Sequence, residues 1–237
     1  MDQEVQFGRR LRSVSEPHPQ TKPARTPDAP AEPSSPPSTP PTARGRATHQ
    51  RIIEAAAALI YERGVSGTSL DDVRAATSTS KSQLYHYFAD KSALVCAVLK
   101  WQQEAVLAGQ QPYLGTFSTL AELRAWRDHL VAVNSGLVAY GGCPIGSLAS
   151  EVAIADPVAQ RVSAEAFEAW RAELSQGIRR IISAGELPEA ANADELALGL
   201  LAALQGGLVL TRATQSSQPL AVALDHALAA VEAARAG

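Results

Sequence analysis

The chain has 237 residues, 46% of them apolar, a formal net charge of −3 and only two cysteines, Cys96 and Cys143. These numbers suit an ordinary globular protein with a buried core, and they exclude a disulfide framework and a Cys-x-x-Cys metal site. The net charge hides an asymmetry: residues 44–100 carry eight basic and five acidic side chains, residues 101–237 eight basic and fourteen acidic. Such a split points to a segment that meets nucleic acid.

Residues 1–43 contain ten of the fifteen prolines, between Pro17 and Pro41. They are expected to form a disordered tail, because so little apolar surface cannot offset the entropy of ordering. The tail is either an appendage or a basic-tinged arm that touches DNA or a partner. Arg9, Arg10 and Arg12 are followed by prolines and not by an apolar stretch, unlike a secretory signal. With the sparse cysteines, this makes the reducing cytoplasm the expected compartment.

Order is expected from about Arg44. Thr48 caps a helix running to Arg63, with Ile52, Ala56, Leu59 and Ile60 at helical spacing and Gly64 ending it. Ser69, with Asp72 three residues on, has the spacing of a capping box for a short second helix, in which Leu70 and Val73 face inward. Residues 77–79 turn. Ser80 and Gln83 repeat the capping-box spacing for a third helix, whose Leu84 and Phe88 share one face. Asp90 caps a fourth, running to about Ala108. Further helices are expected near 118–140, 144–153, 156–184, 193–213 and 218–235, separated at Pro112, Gly141-Gly142, Pro157, Pro188 and Pro219. The predicted fold is all-α, about nine helices. Residues 44–92 form a DNA-binding head and residues 93–237 a sensing and dimerisation bundle.

Two short helices joined by a tight turn make a helix-turn-helix. The second helix would enter the major groove and offer Lys81, Ser82, Gln83 and Tyr85 to base edges. Ser80, His86, Tyr87 and Lys91 lie where they would bind phosphates, and Thr48 would offer a hydroxyl at a helix N-terminus.

Residues 46–94 resemble the N-terminal domain of TetR-family repressors. The resemblance runs through Ile52-Ile53-Glu54-Ala55-Ala56, Tyr61-x-x-Gly64, Thr68-Ser69-Leu70-x-x-Val73, Ser80-Lys81-x-x-Leu84-Tyr85-x-Tyr87-Phe88 and Lys91-x-x-Leu94. One departure is Ser78, where the family usually has glycine; at positive φ, serine is strained by about 1 kcal/mol. The resemblance implies a homodimer with two heads on a palindromic DNA operator, and a C-terminal domain that varies with a small-molecule effector. The stretch Gly141-Gly142-Cys143-Pro144-Ile145-Gly146-Ser147-Leu148 is similar to the LmrA/YxaF-like subgroup. Gly141 and Gly146 have P-loop spacing, but Ser147 stands where the lysine is needed. The five histidines show no metal-ligand spacing, and no cofactor is expected.

Trp101, Tyr113, Phe117, Trp126, Tyr140, Cys143, Phe167 and Trp170 are the candidates to line an effector cavity, which suits an apolar or aromatic ligand. The apolar run Leu196 to Leu210 is read as too short for a membrane span of ~20 residues. Within it Leu200, Leu204 and Leu208 repeat every four residues beside Gly206 and Gly207, as a four-helix dimer interface would require. Cys143 falls at a helix N-terminus just before Pro144 and is read either as a small buried residue filling the pocket wall or as a stabilised thiolate that could sense oxidants. Two competing readings are an all-helical enzyme with Cys143 as nucleophile and His129 as base, and a helical scaffold that does not bind DNA.

Overall fold

A computed structural model describes residues 42–136, 142–152 and 156–235. The proposed tail (but for Thr42 and Ala43) and the connections around Tyr140 and Ile154 lie outside those residues. The described residues form ten helices and no strand.

The first helix, α1 (Ala43–Arg63), starts earlier than expected. Its cap is Thr42, whose side chain accepts from Gly45 N at 3.1 Å, and not Thr48, whose hydroxyl donates to the Arg44 carbonyl one turn back. The reason is local: Pro40-Pro41 cannot continue a helix, so it extends back to the first capping side chain after them. α2 (Leu70–Thr77) and α3 (Lys81–Tyr87) each begin with a complete capping box, Ser69 with Asp72 and Ser80 with Gln83. α4 (Lys91–Ala108), capped by Asp90, packs on α1 near its start and on α8 further along, so it belongs to both halves.

A four-residue helix, α5 (Tyr113–Thr116), was not expected; it seats Leu114 in the core. α6 (Leu120–Gly136), α7 (Pro144–Val152), α8 (Pro157–Ser183), α9 (Ala193–Thr214) and α10 (Gln218–Ala233) follow the predicted breaks. Polar clips fix their register. Arg127 on α6 reaches Asp225 on α10 at 2.8 Å. Asp194, in the first turn of α9, bonds Arg171 and Ser175 of α8 and pairs with Arg179; the Arg171 and Ser175 hydrogen bonds above all lower its pKa to about 2.

α9 requires two corrections. At 22 residues with a window of mean hydropathy 1.6, it is long and apolar enough to cross a membrane by length and composition. The run from Leu196 to Leu210 is only part of that helix. Its apolar character has a different origin, because two faces of one helix are apolar. The Leu200, Leu204 and Leu208 face is buried against the chain's own α8 and α10, and Leu204 is 0% exposed. Side chains without surface in the single chain cannot reach a second subunit, so these leucines are core. The other face shows Leu198, Gly199, Ala202, Gly206, Val209 and Leu210 to the outside.

Candidate DNA-reading helix and sensor cavity

The head is pinned from inside. Ile52, Ala56, Val73, Leu84 and Phe88 have at most 1% exposure, so α1, α2 and α3 share one small core. The turn between α2 and α3 is locked by buried hydroxyls: Thr79 Oγ1 donates to Thr77 Oγ1 at 2.7 Å, and Thr77 Oγ1 donates to the Val73 carbonyl. Ser78 ends α2 with φ 51° and ψ 32°, the left-handed conformation that its departure from glycine makes costly.

With Leu84 and Phe88 buried, the opposite side of α3 presents Lys81, Ser82, Gln83, Tyr85 and His86 to solvent as one surface. Lys81 lies over the Tyr85 ring at 5.9 Å. The Gln83 carboxamide oxygen is already engaged, accepting from Ser80 N at 3.3 Å, which leaves its NH2 as the free donor. Reading adenine needs both the oxygen and the NH2. The oxygen keeps a second lone pair, so the cap restricts the orientation of the Gln83 carboxamide without using up its acceptor. Tyr87 is half-buried and packs edge-on against His49 of α1 at 5.7 Å, while His49 stacks on Phe88 at 5.0 Å. Sequence reasoning passed over His49; it lies between Tyr87 and Phe88, and burial lowers its pKa. It also passed over Arg44 and Arg46, which the longer α1 carries on its exposed first turns.

The second half holds two cavities. A cleft of about 660 Å³ between α7, α8 and α9 is walled by Cys143, Phe167, Leu201, Gln205, Val209 and Arg212 among others. A smaller one, about 360 Å³, lies between α4, α6, α8 and α9 and is bordered by Gln110, His129, Leu130, Cys143, Trp170 and Leu204. Of the candidate lining residues, Cys143 borders both, Phe167 the larger and Trp170 the smaller.

Trp101, Tyr113, Phe117 and Trp126 line neither cavity. Trp126 is fully buried and donates from Nε1 to Gln110 Oε1 at 3.0 Å. Phe117 is a core wedge seated on Gly177, where a Cβ would fall 1.9 Å from the ring. Tyr113 stacks on His129, Trp101 is half-buried in the core, and Tyr140 lies outside the described residues. Aromatic content marks a core and a cavity equally well, which is why the sequence did not separate them.

The thiol expectation is reversed. Burial pushes the Cys143 pKa up, and this outweighs the lowering by the Gly146 N–H, Gln205 and Ile145. Desolvation of a thiolate beats one helix N-terminus here. Burial also raises the pKa of Cys96. His129 is tied through Nε2 to the Gly109 carbonyl at 3.0 Å, so neither half of a Cys–His pair is poised for catalysis.

Besides α4, two polar contacts join the head to the second domain. Glu151, in the last turn of α7, accepts from Val65 N just past the end of α1 at 2.6 Å. Arg212 of α9 donates to Ser147 Oγ of α7 at 3.2 Å and lies over the Tyr61 ring of α1 at 5.5 Å.

Comparison with known proteins finds two family matches along the chain. Residues 52–98 match the domain of the bacterial regulatory proteins of the tetR family, and residues 119–227 match the tetracyclin repressor-like C-terminal domain. An uncharacterised HTH-type transcriptional regulator from the lacX 3′ region of Lactococcus lactis subsp. lactis is 28% identical over 181 residues, 72% of this chain and 86% of that protein. The uncharacterised HTH-type regulator YxaF of Bacillus subtilis strain 168 is 24% identical over 181 residues, covering 76% and 92%. The solved structure of a TetR transcriptional regulator from Chloroflexus aurantiacus J-10-fl superposes with a TM-score of 0.68 at 27% identity, over 80% of this chain and 96% of that one. With its helix-turn-helix head and its helical second domain both matched, the chain belongs to the TetR family of DNA-binding bacterial transcriptional regulators.

Proposed function

We propose that the protein is a cytoplasmic, ligand-responsive repressor that binds a palindromic operator as a homodimer and is released by a small, largely apolar effector. The observation that carries this reading is the link between an exposed α3 and an apolar cleft through α7, whose start borders both cavities and whose Glu151 bonds the head. In this reading Lys81, Ser82, Gln83 and Tyr85 touch base edges. Ser80, His86, Tyr87 and Lys91 hold phosphates, joined by Arg44 and Arg46. Thr48, half-buried within the second turn of α1, contributes less than a helix-capping residue would.

A homodimer is supported by the exposed face of α9 at Gly199, Gly206 and Leu210, next to Val222 and Ala229 on α10. A Cβ on Gly199 or Gly206 would meet nothing within 4 Å, so a second helix can approach closely there. Effector binding is supported by the apolar walls of the cleft and by the buried indole N–H of Trp170, which has no acceptor among the described residues.

The test is a mobility shift with the intergenic DNA upstream of the gene, repeated across a panel of apolar compounds. A salt-sensitive, sequence-specific complex that a panel member dissociates is expected. Absence of any specific complex would overturn the reading, and the helical-scaffold alternative would take its place.

A further inference from the structure

Between Leu196 and Thr211, α9 has one polar side chain, Gln205, and Arg212 follows it two turns on. An apolar packing helix needs neither. Both nevertheless have a shaped seat on the segment from Gly142 to Ser147. Gly142 has φ +123°, and a Cβ there would come within 3.3 Å of Arg212 Cδ; a Cβ on Gly146 would come within 2.8 Å of Gln205 Oε1. Ser147 completes the seat by accepting from Arg212. The glycine-rich stretch thus has a physical purpose unrelated to phosphate binding: it leaves room for two polar groups of α9.

Those groups share two further properties. Gln205 Nε2 is buried with no oxygen or nitrogen acceptor, its side chain meeting only the weak sulfur acceptor of Cys143, and Arg212 makes no ion pair among the described residues. Both border the cleft of about 660 Å³, where Arg212 is the sole charged residue in a wall otherwise made mostly of apolar side chains such as Phe167, Leu198, Leu201 and Val209. A lone guanidinium and a spare amide donor at one end of an apolar cleft form the complement of an amphipathic anion.

We propose that this cleft takes a monocarboxylate on an apolar or aromatic body, with the carboxylate on Arg212 and Gln205 and the body against Phe167, Leu201 and Val209. The proposal rests on the effector reading above and narrows it. It also supplies the coupling. Arg212 also borders a third pocket, of about 190 Å³, together with Tyr61, Glu62, Gly64 and Glu151, and its guanidinium lies over the Tyr61 ring. A bidentate carboxylate bond is stronger than an exposed cation–π contact. The ligand therefore draws Arg212 off Tyr61 and leaves the end of α1 tied to α7 through Glu151 and Val65, a weaker hold on the head.

The test uses the full chain and two probes that share one body, 4-phenylbutyrate and 4-phenylbutanol. Calorimetry reads binding, and fluorescence anisotropy of an operator fragment reads release. The carboxylate is expected to bind at least about tenfold more tightly than the alcohol. Arg212→Gln should erase that preference, and Gln205→Leu should reduce it. Both variants are first checked for an unchanged melting temperature. Equal binding of the two probes, binding of neither, or a preference that survives Arg212→Gln overturns the proposal; the apolar-effector reading survives the first of these. Binding of phenylbutyrate without operator release keeps the site but overturns its role as effector site. If Leu198→Glu dissociates a dimer and no carboxylate preference exists, a second copy of the chain occupies the groove, and the proposal fails.

Discussion

Two leucines six residues apart on α9 separate core from interface. Leu204 is 0% exposed, between α8 and α10, whereas Leu210 is 53% exposed on the opposite face. Truncating a fully buried leucine costs about 2–5 kcal/mol, and putting a carboxylate there adds the desolvation of a charge with no partner. Against a total stability of about 5–15 kcal/mol, Leu204→Glu should leave the second domain unfolded or aggregated. About half of the Leu210 surface is already in water, so Leu210→Glu should cost the isolated subunit only about 1 kcal/mol. Across a twofold axis, however, it places two carboxylates in an apolar contact, which should shift the equilibrium strongly to monomer. Sedimentation velocity with circular dichroism distinguishes the two outcomes. The reasoning fails if Leu204→Glu gives a folded monomer, or if Leu210→Glu stays dimeric at micromolar concentration.

Four other outcomes are expected. Ser78→Gly removes the left-handed strain at φ 51° and should raise stability by up to about 1 kcal/mol, roughly 2–4 °C in melting temperature; a lower melting temperature would show that the serine compensates in another way. Gln83→Ala should relax preference at one operator position at a cost of about 1–3 kcal/mol, whereas Lys91→Ala should weaken binding evenly on all sequences; competition titrations on single-base variants would reverse these roles if the pattern is opposite. His49 has a lowered folded pKa, so the unfolded chain binds its proton more readily. Its contribution is intact above the unfolded value near 6.5 and is lost as pH falls through the folded value, and His49→Gln should flatten that slope in pH-dependent melting. Cys143, with its raised pKa, should react slowly with N-ethylmaleimide at neutral pH, and DNA release by peroxide should be no greater in wild type than in Cys143→Ser.

Much of the head was legible because its determinants are local. A capping box closes within four residues, so Ser69 with Asp72 and Ser80 with Gln83 announced α2 and α3 wherever the rest of the chain went. Leu84 and Phe88, one turn apart, could face only one way, and the surface left over is the proposed DNA-reading row. Local signals also misled where two candidates competed: Thr42 and Thr48 are both capping residues, and only the end of the proline run chose between them.

The sequence by itself determined an all-α fold for the described residues and which side chains α3 leaves exposed for the proposed DNA contact. These follow from spacing along one chain direction. The tertiary structure alone decided which apolar face of α9 is core, because both faces have the same composition and differ only in what packs on them. It alone separated Phe117 and Trp126, which fill the core, from Phe167 and Trp170, which border cavities. It alone turned Cys143 from a helix-end thiolate into a desolvated thiol, since burial is a property of all the neighbours together. And it brought Arg212 onto Ser147, 65 residues away, and over Tyr61. No periodicity records a contact across that distance, because the glycine that permits it lies just before α7 and the arginine that makes it on α9, brought together by the packing of the whole domain.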